Sequence, residues 1–230
     1  MQIVQFSFDL NLKDKIVIGI DETGVGDYFG PLVSCAAFVP KNKIEEIINL
    51  GIKDSKKISD KKILEIAHIL KEKIYYSTAY FSTQEYNILN KKYNANEIKM
   101  LLHLKALWAL KNTLKNIDYI FIDQYSTIKT IMKYYFRIKN DFWNNKIATL
   151  DKPVILDFKA EDKNLNVSCA SVLARALFLE LMEQKNNFYQ VIFPLGAGEN
   201  VKLFAKNFFQ KNNKNLLEIV AKSKFKMELD

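Results

Sequence analysis

Cysteine, arginine, proline and glycine are all scarce in this 230-residue sequence, and each shortage closes off a class of protein. Two cysteines, Cys35 and Cys169, are too few for the disulfide framework of a small secreted domain, and no Cys/His spacing resembles a zinc site. Both read as buried small apolar residues. Four prolines and seven glycines leave no Gly/Ser/Pro-rich linker, and no internal repeat is present, so one compact domain is the economical organisation. No run approaches the roughly 18 consecutive apolar residues of a membrane span. Met1 to Asp9 also lack the basic start and apolar run of a leader. The expectation is a cytoplasmic protein with no membrane partner.

What is present is an ordinary globular composition, 49% apolar, 26% charged and 13% aromatic, which excludes disorder and fibrous repeats. Lys and Arg number 34 against 26 Asp and Glu, a net charge of +8 that favours a polyanionic partner. Charge alone does not choose between nucleic acid and an anionic membrane surface. Arg137 and Arg175 are the sole arginines, so the positive charge is almost all lysine. Lysine engages phosphate as a mobile point charge, which suits backbone binding better than base readout. Abundant Lys, Asn and Ile are equally what an AT-rich genome yields, but the sign of the charge acts physically either way.

Five apolar or β-branched runs read as strands: Ile16 to Ile20, Leu32 to Val39, Tyr75 to Phe81, Tyr119 to Ile122 and Val154 to Phe158. Asp60 to Lys73 places Ile63, Ile66, Ala67 and Leu70 at helical spacing, with Ser59 or Asp60 available as N-cap. Glu97 to Leu114 and Val167 to Gln184 have the pattern of long helices packed on a sheet. Shorter helices are expected near Ile44 to Leu50, Thr130 to Tyr135 and Val201 to Gln210. The pattern is three early strands followed by alternating helices and strands.

The chemistry concentrates in Ile16-Val-Ile-Gly-Ile-Asp-Glu-Thr-Gly-Val-Gly-Asp-Tyr-Phe-Gly-Pro31. Adjacent carboxylates at the end of a buried strand, here Asp21 and Glu22, are costly unless a cation compensates them. A divalent metal is the usual compensation, and oxygen donors of this kind suit Mg²⁺. Phe121-Ile-Asp-Gln124 repeats the arrangement with Asp123, so two strands can bring three carboxylates to one sheet edge. After the fifth strand, any one of Asp157, Glu161 and Asp162 can complete a cage of four. Four carboxylates fit two metal ions about 4 Å apart, the arrangement that activates water and steadies the leaving oxygen in phosphodiester hydrolysis. Gly24, Gly26 and Gly30 follow the first pair and can offer main-chain groups to a phosphate or sugar hydroxyl. Their spacing is not G-x-G-x-x-G and no Walker-type lysine follows, which disfavours a dinucleotide fold and a P-loop.

Together these residues resemble the type 2 ribonuclease H family, most closely its ribonuclease HIII branch, from about Ile16 to Ala221. Asp21-Glu-Thr-Gly-Val-Gly-Asp-Tyr-Phe-Gly-Pro31 is similar to the family's first motif, with Gly-Val-Gly where ribonuclease HII would carry Gly-Arg-Gly. Gly51-Ile-Lys-Asp-Ser-Lys56 resembles the second, and Leu101-Leu-His-Leu-Lys-Ala106 the Leu-His segment of its long helix. Ile122-Asp-Gln124 resembles the third acidic motif, and Lys159-Ala-Glu161 with Ser168-Cys-Ala-Ser-Val-Leu-Ala-Arg175 the fourth. Pro194-Leu-Gly-Ala197 is similar to a late loop motif.

The resemblance implies an α/β, ribonuclease H-like fold with a central mixed five-stranded sheet flanked by helices. It also implies hydrolysis of the RNA strand of RNA–DNA hybrids, leaving 3′-hydroxyl and 5′-phosphate ends. Asp21, Glu22, Asp123 and Glu161 are then the catalytic, metal-holding carboxylates, with two Mg²⁺ or Mn²⁺ ions. Carried over likewise, the Gly24, Val25 and Gly26 backbone meets the ribose 2′-hydroxyl, the group that separates RNA from DNA, and Ser55 and Lys56 hold a phosphate. One departure from the branch is that only fifteen residues, a short N-terminal segment 1–15, precede a catalytic domain spanning 16–230. The usual N-terminal substrate-binding domain is expected to be lacking, with a basic surface that includes Lys56, Lys57, Lys61 and Lys62 and the C-terminal Lys211 to Lys226 region partly substituting.

Other residues carry less weight. Tyr28 and Phe29 are candidates for substrate contact because they sit beside the metal site, with packing as the alternative, and Tyr28 is taken as the substrate-binding residue. His68 and His103 lie in helical patterns, where packing or surface hydrogen bonding is the expectation. Trp108 and Trp143 read as core or ledge residues. A monomer is the default.

Overall fold

The computed structural model describes residues 1–7, 10–52, 58–142, 145–213, 216–225 and 227. Its strands are β1 (Ile3–Gln5), β2 (Val17–Thr23), β3 (Leu32–Phe38), β4 (Tyr75–Phe81), β5 (Tyr119–Asp123) and β6 (Val154–Asp157). Its helices are α1 (Ile44–Ile48), α2 (Asp60–Lys73), α3 (Thr83–Leu89), α4 (Ala95–Thr113), α5 (Ile128–Asp141), α6 (Ala160–Lys163), α7 (Leu165–Tyr189), α8 (Glu199–Lys211) and α9 (Leu217–Val220).

The strands form one mixed sheet in the order β1-β6-β5-β2-β3-β4. β2, β3 and β4 are an antiparallel meander, whereas β5 runs parallel to β2, β6 to β5 and β1 to β6. The sheet therefore has six strands, one more than expected. The addition is β1, three residues with no legible alternation, which pairs with β6 at the edge of the sheet.

Side-chain alternation along β2 assigns its two faces. Ile18 and Ile20 pack with Leu102, Leu107 and other residues of α4, while Val17 packs with Val167 at the start of α7. Gly19 lies on the α7 side, where a Cβ would come within 2.3 Å of Val167 N, so only glycine admits this approach. α7 is long and apolar enough by length and composition to cross a bilayer, but more than half of that stretch is buried inside the fold. Its apolar character is explained by packing on β2, β3 and α2.

Local signals position the helices. Ser59 caps α2 by accepting from Lys62 N, and Ile63, Ile66, Ala67 and Leu70 form its buried stripe. Reciprocal capping boxes start α3 (Ser82 with Glu85) and α4 (Asn94 with Glu97). Asn166 ties the sheet to the start of α7, donating to Val17 O at 2.9 Å and accepting from Val39 N at 2.8 Å.

Candidate active site

The register of the parallel strands brings the acids to one edge. Ile20 lies opposite Ile122 across β2 and β5, so Asp21 and Asp123 follow at the same level, and Asp123 lies opposite Asp157 on β6. Because successive residues face opposite sides of a sheet, Asp21 meets α7 and Glu22 meets α4. Both still reach the carboxyl-end cleft, a cavity of about 440 Å³ whose lining includes Asp21, Glu22, Asp123, Glu161, Ser171 and Arg175. Ligands of open α/β sheets bind at this end of the strands.

The two neighbouring carboxylates are held very differently. Burial pushes the Asp21 carboxyl well up, and the Glu22 charge adds to the rise, against a hydrogen bond from Ser171. Burial also works against the Glu22 anion, but His103 and Lys99 outweigh it and bring Glu22 down to about 2. Lys99 Nζ lies 2.6 Å from Glu22 Oε1 and His103 Nε2 lies 2.8 Å from Oε2. Lys99 and His103 stand four residues apart on α4, hence on one face of the helix. The Lys99 ammonium also sits 4.4 Å from the centre of the Tyr125 ring. His103 Nδ1 and the Tyr125 hydroxyl are buried with no hydrogen-bond partner, two orphaned polar atoms beside the clamp.

On β5, burial raises the Asp123 carboxyl, opposed by the Ala160 N–H and reinforced by the charges of Glu161 and Glu22. That N–H donates to Asp123 Oδ1 at 3.0 Å. It can do so because Lys159 adopts a left-handed conformation, φ 53°, which turns the chain sharply from β6 into α6. Glu161 follows, 6% exposed and in the cleft lining, its carbonyl accepting from Ser168 Oγ at 2.6 Å. Asp157 instead accepts from the Phe158 N–H and pairs with Lys163, and neither Asp157 nor Asp162 lines the cleft.

The donor set suits a hard divalent cation: oxygen ligands only, with Asp21 buried beside a second carboxylate. Among the described residues no three His, Cys, Asp or Glu side chains are already gathered as a ligand set. Mutual repulsion keeps carboxylates apart, while Lys99, His103 and the Ala160 N–H occupy lone pairs of Glu22 and Asp123. Each carboxylate oxygen keeps a second lone pair, so the four residues fit a metal that would draw them together.

The glycine turn follows β2 directly. Gly24 has φ 91° and a Cβ there would lie 2.0 Å from Pro31 O, so this position demands glycine. Gly26 is different, for nothing lies within 4 Å of where its Cβ would be. Val25 between them is 37% exposed. The late loop is fastened to the turn: Tyr28 N donates to Gly196 O at 2.9 Å and Gly196 N to Asp27 Oδ1 at 2.6 Å.

Tyr28 is a correction to the reading from sequence. It is 2% exposed and packs edge-on against Phe29 and Phe225, so its ring belongs to the core and not to the cleft. Phe29 is buried likewise. His103 is also corrected, from bland packing to direct contact with Glu22; the Lys99/His103 spacing was the available signal. His68 is exposed, as a surface histidine should be, and Trp108 is half-buried beneath Lys146. Ser55, Lys56, Lys57, Trp143 and Lys226 lie outside the described residues. Both cysteines are buried and free.

Comparison with known proteins agrees with this geometry. The family described as Ribonuclease HII matches residues 18–228. A protein named Ribonuclease HIII from Enterococcus faecalis is 33% identical over 211 residues, 91% of this chain and 67% of that protein. Another so named, from Streptococcus pneumoniae, is 37% identical over 91% of this chain and 69% of its own length. Among solved structures, Bst-RNase HIII in complex with Mn²⁺ superposes with a TM-score of 0.83 at 32% identity, over 94% of this chain and 68% of that one.

Proposed function

The chain belongs to the ribonuclease HII family, and on that premise we propose that it is an endoribonuclease of the HIII type that hydrolyses the RNA strand of RNA–DNA hybrids. The observation that carries this reading is the cleft itself: Asp21, Glu22, Asp123 and Glu161 line one cavity beside a glycine turn. Mg²⁺ or Mn²⁺ is the cofactor. Bound to carboxylates, such ions supply a water acidic enough to attack a phosphodiester at neutral pH and offset charge on the leaving oxygen.

The chain's residues do the holding. Asp21, Glu22, Asp123 and Glu161 would hold the ions. Lys99 and His103 keep Glu22 an anion at every physiological pH and fix both its oxygens. Ser171 steadies Asp21, and the Ala160 N–H steadies Asp123. Gly24, Val25 and Gly26 would present backbone groups to the ribose 2′-hydroxyl, and Ser55 and Lys56 would hold a phosphate. The open space at Gly26 and the exposure of Val25 support the first of these roles. A net charge of +8, nearly all lysine, suits a phosphate backbone. The protein is taken to act as a monomer in the cytoplasm, where two free buried cysteines remain reduced.

The test is cleavage of three end-labelled duplexes of one sequence, RNA–DNA, RNA–RNA and DNA–DNA, with Mg²⁺ or Mn²⁺. Cutting confined to the RNA strand of the hybrid is expected. Binding of hybrid without cutting by either metal would leave a non-catalytic hybrid-binding protein, and cutting of duplex DNA would make it a different nuclease.

A further inference from the structure

Lys222 in the C-terminal segment is 1% exposed, and its ammonium points beneath the glycine turn. It donates to Gly24 O, which also accepts from Asp27 N at 3.2 Å, and, at 2.7 Å, to Asp27 O, while its own backbone N–H donates to Tyr28 O at 2.9 Å. A buried ammonium is expensive, and methionine would fill the same space without that cost. The expense has a geometric consequence. In a trans peptide the C=O and the following N–H point in opposite directions, and no described peptide bond is cis. Drawing the Gly24 carbonyl inward therefore turns the Val25 N–H outward. No acceptor among the described residues takes that N–H.

The lysine is in turn fixed from outside the turn. Asn87 on α3 donates to Glu218 O at 2.9 Å and Ala221 O at 2.7 Å and accepts from Ser223 N at 3.0 Å. Thr83 donates to Ile219 O. A second buried lysine, Lys185, bonds Phe29 O and Val220 O at 2.6 Å each, at the far end of the same loop. The turn is thus braced by a strut running from α3 through the C-terminal segment to Lys222.

We infer that Lys222 is a positioning residue for ribose recognition: by holding the Gly24 and Asp27 carbonyls inward it fixes the Val25 N–H as a donor to the substrate's 2′-hydroxyl. This rests on the proposed function for the identity of the substrate, but not for the strut. A lysine serving packing alone would stabilise the fold without touching the choice between RNA and DNA.

The experiment compares the whole protein with Lys222→Met and with Asn87→Ala, which loosens the strut from α3. Two quantities are read. The first is amide hydrogen exchange of the segment 23–30, expected to quicken at least tenfold in Lys222→Met and Asn87→Ala. The second is the ratio of affinities for an RNA–DNA hybrid and a DNA duplex of the same sequence, measured by anisotropy in chelator so that nothing is cut. One well-aimed hydrogen bond corresponds to a fall in that ratio of about fivefold, with DNA binding changed less than twofold. If Lys222→Met does not fold, Asn87→Ala carries the same two expectations. Unchanged exchange overturns the inference, and so does quickened exchange with an unchanged ratio. A wild-type protein that binds hybrid and DNA equally overturns the proposed function instead, and the exchange rate still decides whether Lys222 holds the turn.

Discussion

Replacing His103 by leucine removes one half of the clamp on Glu22 while keeping an apolar side chain of similar bulk in a fully buried position. Burial works against the Glu22 anion, and the clamp outweighs it, bringing Glu22 from its ordinary 4.5 to about 2. A hydrogen bond to a charged group contributes roughly 1.5–3 kcal/mol, so losing the one from His103 costs about that much, or roughly 3–12 °C in Tm for a chain of this length. Activity with Mg²⁺ is expected to fall about 10–100-fold, the usual effect of losing a residue that orients a metal ligand. The pH dependence fixes the cause. A carboxyl whose folded value is depressed contributes stability that is complete above about 4.5 and lost as pH falls towards about 2. The stability gap between wild type and His103→Leu, from urea unfolding, therefore narrows through that window. Asp21 and Asp123 are present in both proteins, but the Glu22 charge contributes to the rise of each, so the narrowing reports the coupled carboxylates and not Glu22 alone. A gap that stays constant with pH, with activity retained, would refute the clamp and return His103 to packing.

The remaining expectations concern the cleft and the turn. Asp21→Asn removes a buried charge raised by burial and by Glu22, so it should increase Tm without metal. It should also abolish the rise that Mg²⁺ gives wild type, about 2.7 kcal/mol at a hundred times Kd; differential scanning fluorimetry with and without chelator reads both. Gly24→Ala should destabilise by at least about 3 kcal/mol, given the positive φ and the contact with Pro31 O. Gly26→Ala should fold as wild type yet bind hybrid more weakly. Tyr28→Phe should leave hybrid cleavage within twofold and move Tm by no more than about 4 °C, because the ring is core. With valine at position 25 where ribonuclease HII would have arginine, a single ribonucleotide embedded in DNA should be cut far more slowly than a run of ribonucleotides; comparable rates would place the enzyme with the HII type.

Where a residue's role depends on neighbours in sequence, the sequence displays it. The stripe Ile63, Ile66, Ala67 and Leu70 and the cap Ser59 define α2 to the residue, and Asp21-Glu22 and Asp123 close apolar runs that become β2 and β5. Three residues of β1 contain no period to detect, and α3 is too short and polar for one, although its capping box Ser82-x-x-Glu85 was a signal within reach. α4 is buried nearly all round, so its pattern does not mark the face on which Lys99 and His103 meet Glu22. The choice among Asp157, Glu161 and Asp162 turns on the left-handed Lys159 and on Lys163, which pairs with Asp157. Lys222 was least legible of all, since its partner Gly24 is 198 positions away and nothing local distinguishes it from the exposed Lys224.

The most direct test of the carboxylate cleft is the initial rate of cleavage of an end-labelled RNA–DNA hybrid with Mg²⁺ or Mn²⁺ by wild type and by Asp123→Asn, with thermal unfolding of both run alongside. Asp123 is raised by burial and by neighbouring anions, so the amide should fold at least as stably as wild type. The expected result is a wild-type enzyme leaving 3′-hydroxyl and 5′-phosphate ends, and a folded variant slower by about three orders of magnitude or more. A folded Asp123→Asn that cuts hybrid at the wild-type rate would contradict the assignment of this cleft as the active site.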